Sequence, residues 1–172
     1  MPTLACSITS KSFQGCKMLK AEFLERVIGI PWHNRACAFD AADCWGLVIL
    51  YYRHVLGIEL HHSPDYEAGE DFMTCFENEV VYWRRAEYFS DGDIFIAYYG
   101  AQPVHVGLIV DGRALHSRGE NGCVRSDQIR TIQKLFTRVE WYSYAGNRNT
   151  ESAGAAEATD GSVSGDEVQR VA

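Results

Sequence analysis

From Asp91 onward the sequence breaks into short apolar or alternating runs, DGDIFIAYYG, PVHVGLIVDG, RALHSRG, GCVRSD and LFTRVEWYSY, parted by Gly, Asp and Asn. Runs of this length between turn residues predict strands of an antiparallel sheet. The chain before Asp91 follows another period. Met18, Leu19, Phe23, Val27 and Ile28 recur at helical spacing, and Gly29 and Pro31 end that helix. After the loop WHNRACAFDAAD, Asp43 stands where a helix cap belongs. Cys44, Leu47, Val48, Tyr51, Val55 and Ile58 then form one stripe, closing near Gly57. HHSPDYEAGED is a turn-rich connector, and FMTCFENEVVYWRRAEY predicts a third helix with Phe72, Phe76, Val80 and Trp83 inward. Helices first and strands after them predict an α+β domain, with N-terminal helices packed on an antiparallel sheet of about five to six strands.

A chain of 172 residues that is 47% hydrophobic and 12% aromatic is long enough for one buried core. That core falls in residues 17–146. Residues 1–16 read as a polar arm, and 147–172, rich in Ala, Gly, Ser and acids without one aromatic, as a disordered tail. The net charge of -7 argues against nucleic acid as a partner, since phosphate binding needs concentrated Lys and Arg. No apolar run is long enough to span a bilayer. MPTLACSITSKSFQGCKMLK has no continuous apolar core, so the expectation is synthesis in a reducing cytoplasm without a signal peptide. In that setting the six cysteines are expected as free thiols. No CxxC occurs, which leaves a zinc ribbon or thioredoxin-type site unsupported. His61, His62 and Asp65 lie in a polar connector without a spaced third ligand, so neither a metal nor a cofactor is expected.

Chemistry is concentrated at Cys44. A nucleophilic cysteine needs a low pKa, a base beside it and a group to orient that base. A helix start favours the thiolate through its unpaired amides. Asp43 opposes it, unless its charge is turned onto those amides. In PVHVGLIVDG, His105, Gly107 and Ile109 share one strand face, and the DG turn brings His116 onto the neighbouring strand. One ring can then serve as base to Cys44 while the other fixes its tautomer. Gly107 is expected to leave open space beside His105 where a substrate approaches. Taken alone, a cysteine on an apolar helix face is more often packing, and spacing by itself does not choose between the two readings. Cys37 reads as a loop thiol, Cys75 and Cys123 as buried apolar positions, and Cys6 and Cys16 as part of the arm.

The pieces PW–x11–C, DCWGLVxLYYR, LGIEL, GDIFI, HVGLIV–DG–R–LH and GCV, in this order, resemble the NlpC-type papain-like cell-wall peptidases. The branch they look most like is carried by tailed phages as tail-tip or tail-assembly proteins, with Asp-Cys-Trp-Gly in place of the commoner Asp-Cys-Ser-Gly. The likeness covers roughly residues 18–144. It implies a papain-like fold with Cys44 as nucleophile, His105 as general base and His116 as the polar residue orienting His105. The backbone N–H of Cys44 would belong to the oxyanion hole. Trp32, twelve residues before Cys44, stands where the family usually has a hydrogen-bonding tyrosine. Asn34 and Arg35 replace the family's glycines after that aromatic, which puts substrate preference in doubt. The resemblance further implies a peptidoglycan hydrolase cutting stem peptides, most often from D-glutamate to a diamino acid. Its expected place is the virion, at the tail tip among other tail proteins, opening the wall locally for DNA entry. A catalytically silent tail component of the same fold stands as an alternative, as does a related amidase or acyltransferase.

Overall fold

The computed structural model describes residues 17–60, 80–119 and 121–146. The expected arm and tail, the connector with His61, His62 and Asp65, residues 72–79 of the expected third helix, and Cys6, Cys16 and Cys75 lie outside the described residues. Helix α1 (Lys20–Val27) is followed by α2 (Cys44–Tyr51), which runs on as a π-turn over Tyr52–Leu56. Six strands follow: β1 (Trp83–Ala86), β2 (Ile94–Tyr99), β3 (Gln102–Val110), β4 (Arg113–Ser117), β5 (Val124–Gln128) and β6 (Arg138–Tyr144). Helix α3 (Ile129–Leu135) lies between β5 and β6. The strands form one antiparallel sheet in the order β1-β6-β2-β3-β4-β5. The α+β class and the strand count agree with the sequence reading.

Three expectations need correction. Residues 83–86 are a strand, not the end of a helix, because Trp83 to Ala86 pair in register with Tyr144 to Trp141 of β6. The apolar positions Val80 and Trp83 suit either period, and the ladder with β6 decides between them. Helix α3 was not foreseen. Ile129, Ile132 and Phe136 follow helical spacing, yet the run is short and begins inside a strand signal. Finally, α2 is buried all round from Trp45 to Tyr51 rather than along one stripe. Such a helix lies in the core, enclosed by neighbours on every side.

Both sheet faces are covered. Val106, Leu108, Val110 and Leu115 pack with Phe23 and Val27 of α1 and with Leu47, Val48 and Tyr51 of α2. On the other face Phe95, Ala97, Ile109 and Ala114 meet Ile132 of α3 and Phe136 just beyond it. The alternation along β3 that sends successive side chains to opposite faces therefore feeds two cores. Gly57 adopts a left-handed φ of 69° and ends the π-turn by donating its N–H to the Tyr52 carbonyl.

Candidate active site

The start of α2 is held from several sides. One carboxylate oxygen of Asp43, Oδ1, accepts from the Gly46 N–H at 2.7 Å, and Oδ2 accepts from the Arg35 N–H at 2.8 Å. The charge of Asp43 is thus turned onto backbone amides, as an N-cap requires. Ser117 Oγ at the end of β4 donates to the Ala42 carbonyl at 2.6 Å, tying the loop before Cys44 to the sheet. Segment 29–32 runs beside 122–124, and the Trp32 N–H donates to the Gly122 carbonyl at 2.9 Å.

These ties bring Cys44 and His105 onto the wall of one cavity of about 320 Å³. Trp32, Asn34, Arg35, Arg118 and Phe136 also line it. His116 lies behind His105, with its Nδ1 3.1 Å from His105 Nε2. The ring of His105 is stacked on Phe136 at 5.7 Å and touches Phe95 at 5.7 Å, so little rotation is open to it. With Nε2 engaged by His116, the nitrogen of His105 left for chemistry is Nδ1.

Gly107 does something other than open the site. A Cβ there would meet the Phe95 ring at 2.5 Å and the His116 Cβ at 2.8 Å. The missing side chain is filled by protein, not substrate, and Gly107 does not line the cavity. Leu108 pairs with Leu115, and continuing that register sets Gly107 opposite His116. The bare glycine lets the His116 ring lean along the strand to reach His105, a diagonal reach that suits long and aromatic side chains.

Electrostatics at the site depart from the thiolate expected of a helix start. Burial, and after it the Asp43 charge, push the Cys44 thiol up to about 12. Backbone N–H groups, led by Val106, pull the other way and do not prevail. Burial holds His105 well below the usual imidazole range, helped by His116 and the Arg118 guanidinium. His116 is lowered too, again by burial, against a raising pull from Asp127. These shifts favour a thiol and neutral imidazoles over an ion pair.

These shifts make stability depend on pH. Below about 6.5, the ordinary imidazole value, the unfolded chain binds protons that the folded histidines refuse, so stability falls as the pH drops. Above about 9, the ordinary thiol value, the unfolded Cys44 ionises while the folded one does not, and stability falls as the pH rises. The melting temperature is expected to be highest between these limits. His105→Gln is expected to flatten the acid limb; an acid limb of unchanged slope in thermal melts would assign it to other groups.

Sequence reasoning placed Cys44, His105, His116, Trp32 and Asp43 as candidates, and the fold gathers all five in one region. It missed Arg118, Phe136 and Asp127. Asp127 Oδ2 stands 3.1 Å from His116 Nε2. The one signal for it was alternation: Arg125 and Asp127 share a strand face, and Arg125 pairs with His116. The Cys37 Sγ donates to the Gly46 carbonyl at 3.4 Å, and Cys123 is half-buried rather than buried. Among the described residues no helix is long and apolar enough to cross a membrane.

The sequence model of the NlpC/P60 family matches residues 31–150. No curated protein matches the chain. Among solved structures, NlpC1 from Trichomonas vaginalis superposes with a TM-score of 0.51 at 17% identity, over 73% of this chain and 42% of that one. NlpC2 from the same organism gives 0.51 at 19% identity, over 73% and 44%. The NlpC/p60 domain of the peptidoglycan hydrolase SagA gives 0.48 at 15%, over 71% and 92%. The chain thus spans less than half the length of either Trichomonas protein, and the likeness to both is one of fold.

Proposed function

Because the chain belongs to the NlpC/P60 family, we propose that it is a cysteine peptidase of the bacterial cell wall, with Cys44 as nucleophile and His105 as general base. The observation that carries this reading is the shared cavity: Cys44 and His105 face one space, and His105 Nε2 is tied off by His116. As Sγ of Cys44 attacks a peptide carbonyl, its proton passes to Nδ1 of His105. The resulting imidazolium gives that proton to the departing amine, and the acyl group stays on sulfur. Water then attacks the thioester, giving a proton to His105, and the thiol is restored as the acid leaves. The Cys44 N–H lies in the first turn of α2, where amides lack intrahelical acceptors, and is the oxyanion donor of this scheme. Losing one such donor typically costs about 3–4 kcal/mol of barrier.

The substrate class we assign is the peptidoglycan stem peptide, with the D-glutamyl to diamino acid bond preferred. Arg35 and Arg118 on the cavity wall suit a peptide rich in carboxylates. Trp32 lines the same wall and takes the place of the family's usual tyrosine. From the Asp-Cys-Trp-Gly block we place the protein at a phage tail tip, opening the wall locally for DNA entry among other tail proteins. The raised thiol of Cys44 favours one competing reading, a silent tail component that keeps the fold without turnover.

Digestion of Gram-negative-type sacculi separates the two readings. Wild type is expected to release fragments whose masses name the bond, and Cys44→Ala to release none. No release by either protein would leave the structural reading standing. Cosedimentation of the chain with intact particles tests the tail assignment.

A further inference from the structure

We propose that Asp127 ends a hydrogen-bonded series, His105–His116–Asp127, that stands behind Cys44 in the shared cavity, and acts as the positioning residue that sets the tautomer of both imidazoles. The inference rests on the peptidase reading for its catalytic meaning, but its geometry stands apart from it. A carboxylate can only accept, so the 3.1 Å contact between Asp127 Oδ2 and His116 Nε2 requires the proton on Nε2 of His116. In a neutral ring that leaves Nδ1 of His116 as an acceptor. The 3.1 Å contact between His116 Nδ1 and His105 Nε2 then requires the proton on Nε2 of His105. Nδ1 of His105 is left with a lone pair, which is what a base toward Cys44 needs. One carboxylate decides two tautomers in sequence.

Without Asp127, each ring could carry its proton on either nitrogen. The pair could reverse direction, with His116 Nδ1 donating to His105 Nε2. His105 would then carry its proton on Nδ1, facing the thiol with a donor instead of a base. A wrong tautomer at an intact site is costly in triads of this kind. Burial strengthens the effect: His116 is 1% exposed and His105 5%, so water cannot easily substitute for the missing acceptor.

The charged or titratable groups around His116 are His105 on β3, Arg118 beyond β4, and Arg125 and Asp127 on β5, while β2 presents the Phe95 ring. Of these, Asp127 alone is an anion. Arg125 Nη2 lies 3.3 Å from Asp127 Oδ1, which leaves Oδ2 to His116. When His105 takes the proton of Cys44, its Nε2 proton can move to His116 Nδ1, bringing the positive charge next to the carboxylate. The reverse shift restores the proton to Nε2 of His105 as its Nδ1 proton passes to the leaving amine, so the relay ends each step unchanged.

Long-range proton–nitrogen NMR correlations of the histidine rings test the proposal directly. In wild type both His105 and His116 are expected as the Nε2–H form. Asp127→Ala is expected to redistribute His116 and His105 toward Nδ1–H, and Asp127→Asn, of the same shape, to give a mixture if the alanine variant does not fold. On sacculi, kcat is expected to fall by about 10- to 100-fold with KM little changed, the size seen when the hydrogen-bond partner behind a metal-bound histidine is lost. Unchanged tautomers in both variants would overturn the proposal, whatever happens to activity. A wild type that shows the expected tautomers but cleaves nothing would instead count against the peptidase reading alone.

Discussion

Cys44→Ala is expected to lower the rate of sacculus cleavage by about four to six orders of magnitude. The size follows from what is removed. His105, the Cys44 backbone N–H and the cavity all remain in the variant, so binding and oxyanion stabilisation persist at the background level. What is missing is the sulfur that forms the acyl-enzyme, and a neutral imidazole with no thiol beside it has only water to activate. Stability should change little, by about 1 kcal/mol or less. The thiol is half-buried at a cavity wall, and alanine keeps the helix start. Fragment release by mass spectrometry and a thermal melt on the same preparation check both halves. Cleavage by the variant at the wild-type rate would remove Cys44 from the mechanism.

The largest expected effect on stability lies two residues further on. A Cβ at Gly46 would stand 2.0 Å from the Ala36 carbonyl oxygen, 2.9 Å from its carbon and 3.1 Å from the Cys37 Cα. All three are backbone atoms, which cannot swing aside as a flexible side chain does. The same Ala36 carbonyl accepts from the Asp43 N–H at 3.0 Å, so pushing it away also loosens the cap. Gly46→Ala is therefore expected to cost about 1–3 kcal/mol, at the upper end for a packed backbone contact. It should also change the alkylation rate of Cys44, because Asp43, whose charge raises the thiol pKa, moves with the loop. Chemical denaturation and iodoacetamide kinetics measure the two. A variant melting with the wild type would show that the loop yields freely. The glycine after the Cys–Trp pair thus has a steric reason: the loop crosses the helix where only a hydrogen fits.

Local rules carried the reading far at some positions and failed at others. Asp43 was legible as a cap because an N-cap needs only its own side chain and the next three amides. Strands β2 to β6 were legible because alternation and turn residues are properties of adjacent positions. Strand β1 was not, since its four residues acquire a partner only when β6, more than fifty positions later, lies beside them. Helix α3 escaped because it is two turns long and held by Ile132 and Phe136 packing on the sheet. Gly107 was read with the correct face but the wrong neighbour, as its emptiness is filled by Phe95 and His116.

The sequence by itself determined helices α1 and α2, strands β2 to β6, the cysteine at a capped helix start and two histidines across a tight turn. Each of these is written in the spacing of residues close along the chain, and period and capping are local physics. Only the tertiary structure decided that burial and Asp43 push the Cys44 thiol up, that Gly107 is a contact point and that Asp127 stands at the end of the histidine pair. Burial, charge and hydrogen-bond partners at those positions come from segments far apart in the chain. Their values exist only once the sheet has closed over the start of α2.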